Sequence, residues 1–439
     1  MENRARGIPR LLSPKTEDVE IANGLTDPEA VTERILDAEG RGTLYPYYHR
    51  LRTLAPIHRT EVAGLPPGTF FLTRAADVDR VARSAAAVND PRTAEVWNYD
   101  GTGQGAFYRV MSRAMLFLEK SQHDRVRRLV YKAFTPAAVA PLRSLTEGVA
   151  HDLLDAVKGH SEFDFVSDFA YPLPLRAIMR LLGVPHEAEP TLEEWAWDFA
   201  RAGDPMSATP EIIARGDLAA EGFREFFGDL FDARKREPAE DLITSLVQAE
   251  ADGHQLDREE AIATLVLLLQ AGHDTTSDLL GNAMIGLFRH PEALRRLSQQ
   301  PELLGSATEE LLRFDTSVQI SMRLARESID LGDTEIPADS LIALAYGAAN
   351  RDPAFHANPD RLDLDRNPAH LSFSAGAYYC LGNALARTEI QAALSVLFGH
   401  APEIRPSTDH FIERWTTRLR GPLELKVSLN PAEARALEF

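Results

Sequence analysis

The spacing of apolar positions changes character along the chain. Residues 1–110 mix short strand-like runs, such as Thr69–Thr73, with helices and loops. From Arg113 to Phe398 the helical period dominates. Strands are predicted near Ile320–Ala325 and Leu341–Ala345, and a last one at Leu423–Leu429, beyond the break at Gly421–Pro422. The pattern predicts a mainly α fold with small β-sheets. No repeat, linker or compositional shift divides the 439 residues, so one large domain is expected, with an irregular segment over 1–40.

One helix stands out. Asp257 followed by Glu260 predicts an N-cap with a capping box. Apolar positions continue through Ile262, Leu265, Leu268 and Leu269 to Leu279, Leu280, Met284 and Leu287, and Pro291 sets the end. That is about 32 residues, or roughly 48 Å at 1.5 Å per residue. A helix apolar on several faces has to run through a core. Its centre breaks the rule: Ala271-Gly272-His273-Asp274-Thr275-Thr276 sets Gly, Asp and two β-branched residues in a helix interior. Either this is a functional site, or it is a kink with Thr hydroxyls bonded to the preceding turn.

Composition narrows the class. Lys and Arg number 47 against 66 Asp and Glu, a net charge of −19, which disfavours binding to nucleic acid phosphates. One cysteine permits no intrachain disulfide. The longest apolar stretch, from Ala261 to Gly272, falls short of the roughly 20 residues a bilayer crossing needs. No signal sequence is legible either, so a cytoplasmic protein with no membrane contact is expected.

The cysteine, Cys380, follows a segment of small residues (Ser372, Ser374, Ala375, Gly376, Ala377) and precedes a helix whose apolar face runs through Leu381, Leu385, Ile390 and Ala393. Backbone N–H groups at a helix start stabilise a thiolate. Three readings stay open at this point: an inert buried side chain, a nucleophile needing a histidine base, or the thiolate ligand of a haem iron. Two other pairs add weight to haem. His123 and Arg127 share a helical face at i,i+4, suited to carboxylates such as haem propionates, or else a solvated basic face. Glu310 and Arg313 sit at i,i+3.

Together these signals resemble the cytochromes P450 in their soluble bacterial form, over roughly residues 40–430. The run Phe373-Ser-Ala-Gly376-Ala-Tyr-Tyr-Cys380-Leu-Gly382 is similar to the family's haem-binding loop, with Ser374 where glycine is usual and Tyr378 where a basic residue is usual. The resemblance implies haem b with Cys380 as the iron's axial thiolate, and with Ala271, Phe373, Gly376 and Tyr378 around the cofactor. It implies His123, Arg127 and Arg323 on the propionates. Glu310, Arg313 and Arg361 would form a buried charge cluster behind the haem, and Asn350-Arg351-Asp352-Pro353 also matches.

By the same resemblance the central helix crosses the haem, with Ala271 and Gly272 admitting dioxygen and the helix opened locally. Asp274 and Thr275 would be the catalytic acid–alcohol relay. The implied activity is a monooxygenase inserting one atom of O2 into an apolar small molecule: terpenoid, fatty acid, steroid or polyketide. The alternatives are a peroxide-driven peroxygenase of the same fold and a non-catalytic haem-binding protein. No cysteine set for an iron–sulfur cluster is present, so electrons are expected from a separate ferredoxin or flavodoxin. Arg125, Arg128 and Lys132 are expected to present that partner with a basic patch. Trp97, Tyr99, Phe107, Tyr108 and Met111, with Trp195, Trp197, Phe199, Met206 and Val318–Ser321, are the expected substrate lining. A monomer is expected.

Overall fold

The helix that the sequence marks most strongly is the axis of the molecule. In the computed structural model it spans Arg258–Phe288, and both halves of the predicted capping box are made. The structure describes residues 7–12, 17–37, 42–89, 99, 101–204, 208–251, 256–414, 416 and 418–429.

Among the described residues we label the helices that build the site α1 (Lys120–Tyr131), α2 (Pro172–Leu182), α3 (Glu189–Ala202), α4 (Pro210–Arg236), α5 (Arg258–Phe288), α6 (Leu304–Phe314) and α7 (Asn383–His400). The strands are β1 (Gly7–Leu11), β2 (Ile57–Thr60), β3 (Thr69–Leu72), β4 (Ala87–Val88), β5 (Ile320–Ala325), β6 (Leu341–Ala345), β7 (His410–Arg414) and β8 (Pro422–Glu424). A five-stranded sheet runs β2-β3-β6-β5-β4, and a three-stranded sheet runs β1-β7-β8. Within the larger sheet only β3 and β6 pair in parallel. β5 and β6 fall where the sequence predicts them. The expected Leu423–Leu429 strand is instead two short ones, Pro422–Glu424 and Lys426–Ser428, which join different sheets.

The described part of the segment expected to be irregular over 1–40 is regular. It carries β1 and the helices Glu17–Gly24 and Pro28–Leu36. Asp27 caps the second, accepting from the Glu29 N–H, with proline at its first position.

Two apolar cores meet along α5. Ala261, Ile262, Leu265, Val266 and Leu269 pack with α3 and α4. Leu279, Leu280, Met284, Ile285 and Leu287 pack with α6 and α7. Each of these Leu, Ile, Val and Met side chains contributes about 1.5–3 kcal/mol gross on burial. That outweighs the roughly 1 kcal/mol that Gly272 costs in a helix interior. The polar centre of α5 is therefore carried by apolar anchors on both sides, and the helix is continuous through it. The expected local opening is absent. The Thr275 hydroxyl donates to the Ala271 carbonyl at 2.8 Å, and the Thr276 hydroxyl to Gly272 at 3.3 Å.

Candidate active site

One cavity lies between the centre of α5 and the loop that carries Cys380. Leu267, Leu268, Ala271, Thr275 and Leu279 line it from α5, and Phe373, Tyr378 and Cys380 from the loop. The loop is held by conformations that few residues tolerate. Gly376 has φ +67°, and a Cβ there would lie 2.6 Å from the Ala82 carbonyl oxygen. Ser374 takes φ +60° without being glycine. Its hydroxyl repays the strain, accepting from Tyr346 at 2.7 Å and from Arg323 at 3.2 Å.

Asn350, from the matched Asn350–Pro353 stretch, clamps the loop's start. Its amide donates to the Ser372 hydroxyl at 2.9 Å and its carbonyl accepts from the Leu371 N–H at 2.7 Å. The Cys380 N–H closes the turn on the Phe373 carbonyl at 2.9 Å. α7 begins only at Asn383, so the thiol lies just before the helix rather than at its first turn. Burial pushes the thiol up. The Gly382 N–H on the sulfur and the charges of Arg127 and Arg387 oppose that.

His123, Arg127, Ala271 and Arg323 all reach this cavity with Phe373, Tyr378 and Cys380. Arg127 donates to the Tyr379 carbonyl. His123 is buried beside Asp124, at 2.9 Å, and burial lowers its pKa. Arg323 is 2% exposed and donates to Asn89, Ser321, the Met322 carbonyl, Tyr346 and Ser374. Every one of those acceptors is neutral, and its Nε has no partner among the described residues. A buried cation without an anion is costly, so the site calls for one. Tyr378, where a basic residue was usual, offers its ring: Arg323 lies 4.9 Å and the His123 ring 4.7 Å from its centre.

Several expectations need correction. Gly272 lines the cavity beside Ala271, as expected, but it also lets α2 approach, since an added Cβ would lie 3.1 Å from Ile178. In the charge cluster Glu310 accepts from Arg313 at 2.7 and 2.8 Å and from Arg366 at 3.1 Å. Arg361 is exposed and lends only its carbonyl. Arg125 turns to Glu260 of the α5 capping box, at 2.9 Å, which leaves Arg128 and Lys132 as the exposed basic pair.

Of the expected substrate lining, Val318 and Ser321 border the cavity, and Tyr99, Phe107, Tyr108, Met111, Trp195, Trp197 and Phe199 do not. Phe107 meets Phe199 at a tilt of 47° with ring centres 4.4 Å apart, and Trp195 meets Phe223 edge-on at 5.5 Å, as helix packing. Trp97 and Met206 lie outside the described residues.

Asp274 and Thr275 are neighbours in sequence but point apart. Asp274 is buried, accepting from Gln270 at 2.8 Å with Arg414 at 3.7 Å. His273 is fully buried edge-on to Tyr171, at 4.0 Å, and burial holds it neutral.

The sequence reading missed Glu389, which lines the cavity from α7 and is fully buried. Its oxygens make no well-formed hydrogen bond among the described residues, and burial raises its carboxyl well above the usual range. A signal existed: Leu381, Leu385, Glu389 and Ala393 recur every fourth residue, so an acid lies on the apolar face.

The cavity thus brings a cysteine opposite a small helix residue, beside a buried cation whose described partners are all neutral. The model of the cytochrome P450 family matches residues 223–400. The biotin biosynthesis cytochrome P450 of Bacillus subtilis (strain 168) is 34% identical over 82% of this chain and 89% of its own length. The vitamin D(3) 25-hydroxylase of Pseudonocardia autotrophica is 32% identical over 89% of this chain and 94% of its own. A crystal structure of P450BioI with an acyl carrier protein carrying hexadec-9Z-enoic acid superposes with TM-score 0.81 at 32% identity, covering 88% and 97% of the two chains. The myxobacterial CYP267B1 bound to myristic acid gives TM-score 0.81 at 31% identity, covering 92% and 98%.

The chain belongs to the cytochrome P450 family. It is a monooxygenase of the kind that binds haem b and takes a small-molecule substrate, O2 and electrons from a redox partner. The residues present fit that cofactor, since the unmatched charge of Arg323 faces the same cavity as Cys380. Among the described residues no helix is long and apolar enough to cross a membrane.

Proposed function

We propose that Cys380 is the axial thiolate, that Arg323, Arg127 and His123 hold the haem propionates, and that the substrate is a long apolar molecule, a fatty acyl chain before a terpenoid, steroid or polyketide. The observation that carries this reading is the buried Arg323, whose partners among the described residues are all neutral, beside a cavity lined in part by Met115, Leu267, Leu268, Leu279 and Val318. The fatty acid bound to CYP267B1 and the acyl chain on the P450BioI carrier protein support the substrate class. Thiolate-bound haem, when present, supplies the electron density that favours O–O cleavage.

The chain's own residues do the rest. The Cys380 sulfur accepts from the Gly382 N–H, which stabilises the anion. Ala271 leaves room beside the cavity, and the leucines of α5 exclude water from it. The Thr275 hydroxyl is the proton donor on the cavity side, replenished from the Asp274 carboxyl once that side chain leaves Gln270. Electrons come from a separate ferredoxin or flavodoxin docking near Arg128 and Lys132. The chain works as one cytoplasmic domain and as a monomer.

The test is optical. The reduced carbon monoxide adduct should show the red-shifted band of thiolate ligation, and Cys380→Ser should lose it; an unshifted band in the unsubstituted protein refutes the assignment. A binding screen of fatty acids, terpenoids and steroids, read by displacement of the iron-bound water, then ranks substrate classes. Peroxide-driven use of the same site is the second reading, because Asp274 is held away from Thr275. Turnover with peroxide and none with ferredoxin would select it.

A further inference from the structure

Asp274 and Asp278 lie one turn apart on α5, and both face a single cation, Arg414 of β7. The Asp278 carboxylate accepts from Arg414 Nη2 at 3.1 Å, and the same nitrogen lies 3.7 Å from Asp274. All three side chains are at most 10% exposed. The loop after β7 seals the site: a Cβ on Gly421 would lie 2.3 Å from an Asp278 oxygen. The hydrogen bonding is incomplete. Asp278 Oδ2 and Arg414 Nε have no partner among the described residues. The other titratable groups facing the trio are His273 on α5, 3.8 Å from Asp274, and Tyr171 from the turn before α2. Neither carries a charge at neutral pH.

One guanidinium therefore serves two buried carboxylates. With both ionised, the trio carries an uncompensated negative charge in a dry site, which burial penalises heavily. The two acids compete for the cation. When Asp278 is ionised it keeps Arg414, and Asp274 is held by the Gln270 amide alone. When Asp278 is neutral, Arg414 is free to close on Asp274 and pin it.

We propose that Asp278 is a positioning residue for the relay acid: by competing for Arg414 it sets whether Asp274 stays pinned beside Gln270 or is released toward Thr275. The proposal rests on the Asp274–Thr275 relay reading above. The energetics agree. Burial and the like charge of Asp274 push Asp278 up, against the pull of Arg414, to about 7. Raising the pH through that value ionises Asp278, draws Arg414 away and frees Asp274, so proton delivery improves as pH rises.

The experiment uses the haem-loaded protein with a ferredoxin, its reductase, NADPH and myristic acid as probe. It reads peroxide released per NADPH consumed across the pH range bracketing 7. The unsubstituted protein should couple better as pH rises. Asp278→Asn, permanently neutral, should lose that rise and couple roughly tenfold worse on the alkaline side. It should add nothing to Asp274→Asn. Infrared spectra of protein carrying labelled aspartate give a reading independent of turnover. The Asp274 carboxylate band should move with pH in the unsubstituted protein and stay fixed in Asp278→Asn. An unchanged pH response in Asp278→Asn by both readings overturns the proposal while the relay stands. Normal coupling in Asp274→Asn overturns the relay itself, and the proposal with it.

Discussion

The two walls of the cavity are built on opposite principles. On the Cys380 side nearly every polar group is committed. Ser374 and Gly376 take backbone conformations that only their surroundings permit, Arg323 and Tyr346 both bond to Ser374, and Asn350 bonds to Ser372. On the α5 side valences are left open: Gln270 Oε1, both His273 nitrogens, Asp278 Oδ2 and Arg414 Nε lack partners among the described residues. A wall that must hold a metal ligand at fixed distance gains from over-determination. A wall that must move protons gains from acids with more than one place to go.

The contrast can be broken from either side. The largest effect is expected from Gly376→Ala. Left-handed backbone strain of about 1–3 kcal/mol adds to a Cβ 2.6 Å from the Ala82 carbonyl and 2.9 Å from Arg83 Cα. The loop should shift, and purified protein should show much less haem absorbance per chain. Next is Arg323→Met, which removes a charge-assisted anchor worth about 1.5–3 kcal/mol, so haem transfer to apomyoglobin should be roughly ten- to a hundredfold faster.

Glu389→Gln tests the buried acid that α7 sets into the same cavity. A carboxyl raised by burial is neutral in the folded protein, so the stability it permits is complete at acid pH and is lost as pH rises through its folded value. The Gln variant should match the unsubstituted protein at low pH and exceed it by about 1–3 kcal/mol at alkaline pH in thermal unfolding. The smallest effect is expected from Ser374→Gly, where relief of the positive φ offsets two lost hydrogen bonds. Stability should stay within about 1 kcal/mol, while haem retention falls toward that of Arg323→Met.

What the sequence makes legible follows from range. The capping box at Asp257 and Glu260 is a contact across three residues, and it forms as predicted. The loop around Cys380 is legible because its small residues and positive-φ glycine are local requirements. Choice of ion-pair partner is not local. Glu310 takes Arg366 rather than Arg361, and Arg125 abandons the surface for Glu260, because each depends on how distant elements pack. Asp278 finds Arg414 across 136 positions, and no periodicity announces it. Tyr99, Phe107, Tyr108, Trp195 and Phe199, expected around the substrate, pack in the helical core for a related reason: burial alone does not say which cavity a ring borders.

β1 has a mechanical consequence. It pairs in full register with β7, Gly7 opposite Arg414 and Leu11 opposite His410, and Arg10 bonds to Glu413 at 2.8 Å across 403 positions. The strand bearing Arg414 thus stays an open edge until the earliest described segment and one of the latest find each other. On the ribosome that seam cannot close until both strands, 403 positions apart at Arg10 and Glu413, have been synthesised. A fusion or tag that tugs on residues 7–11 pulls directly on the cation shared by the two α5 carboxylates.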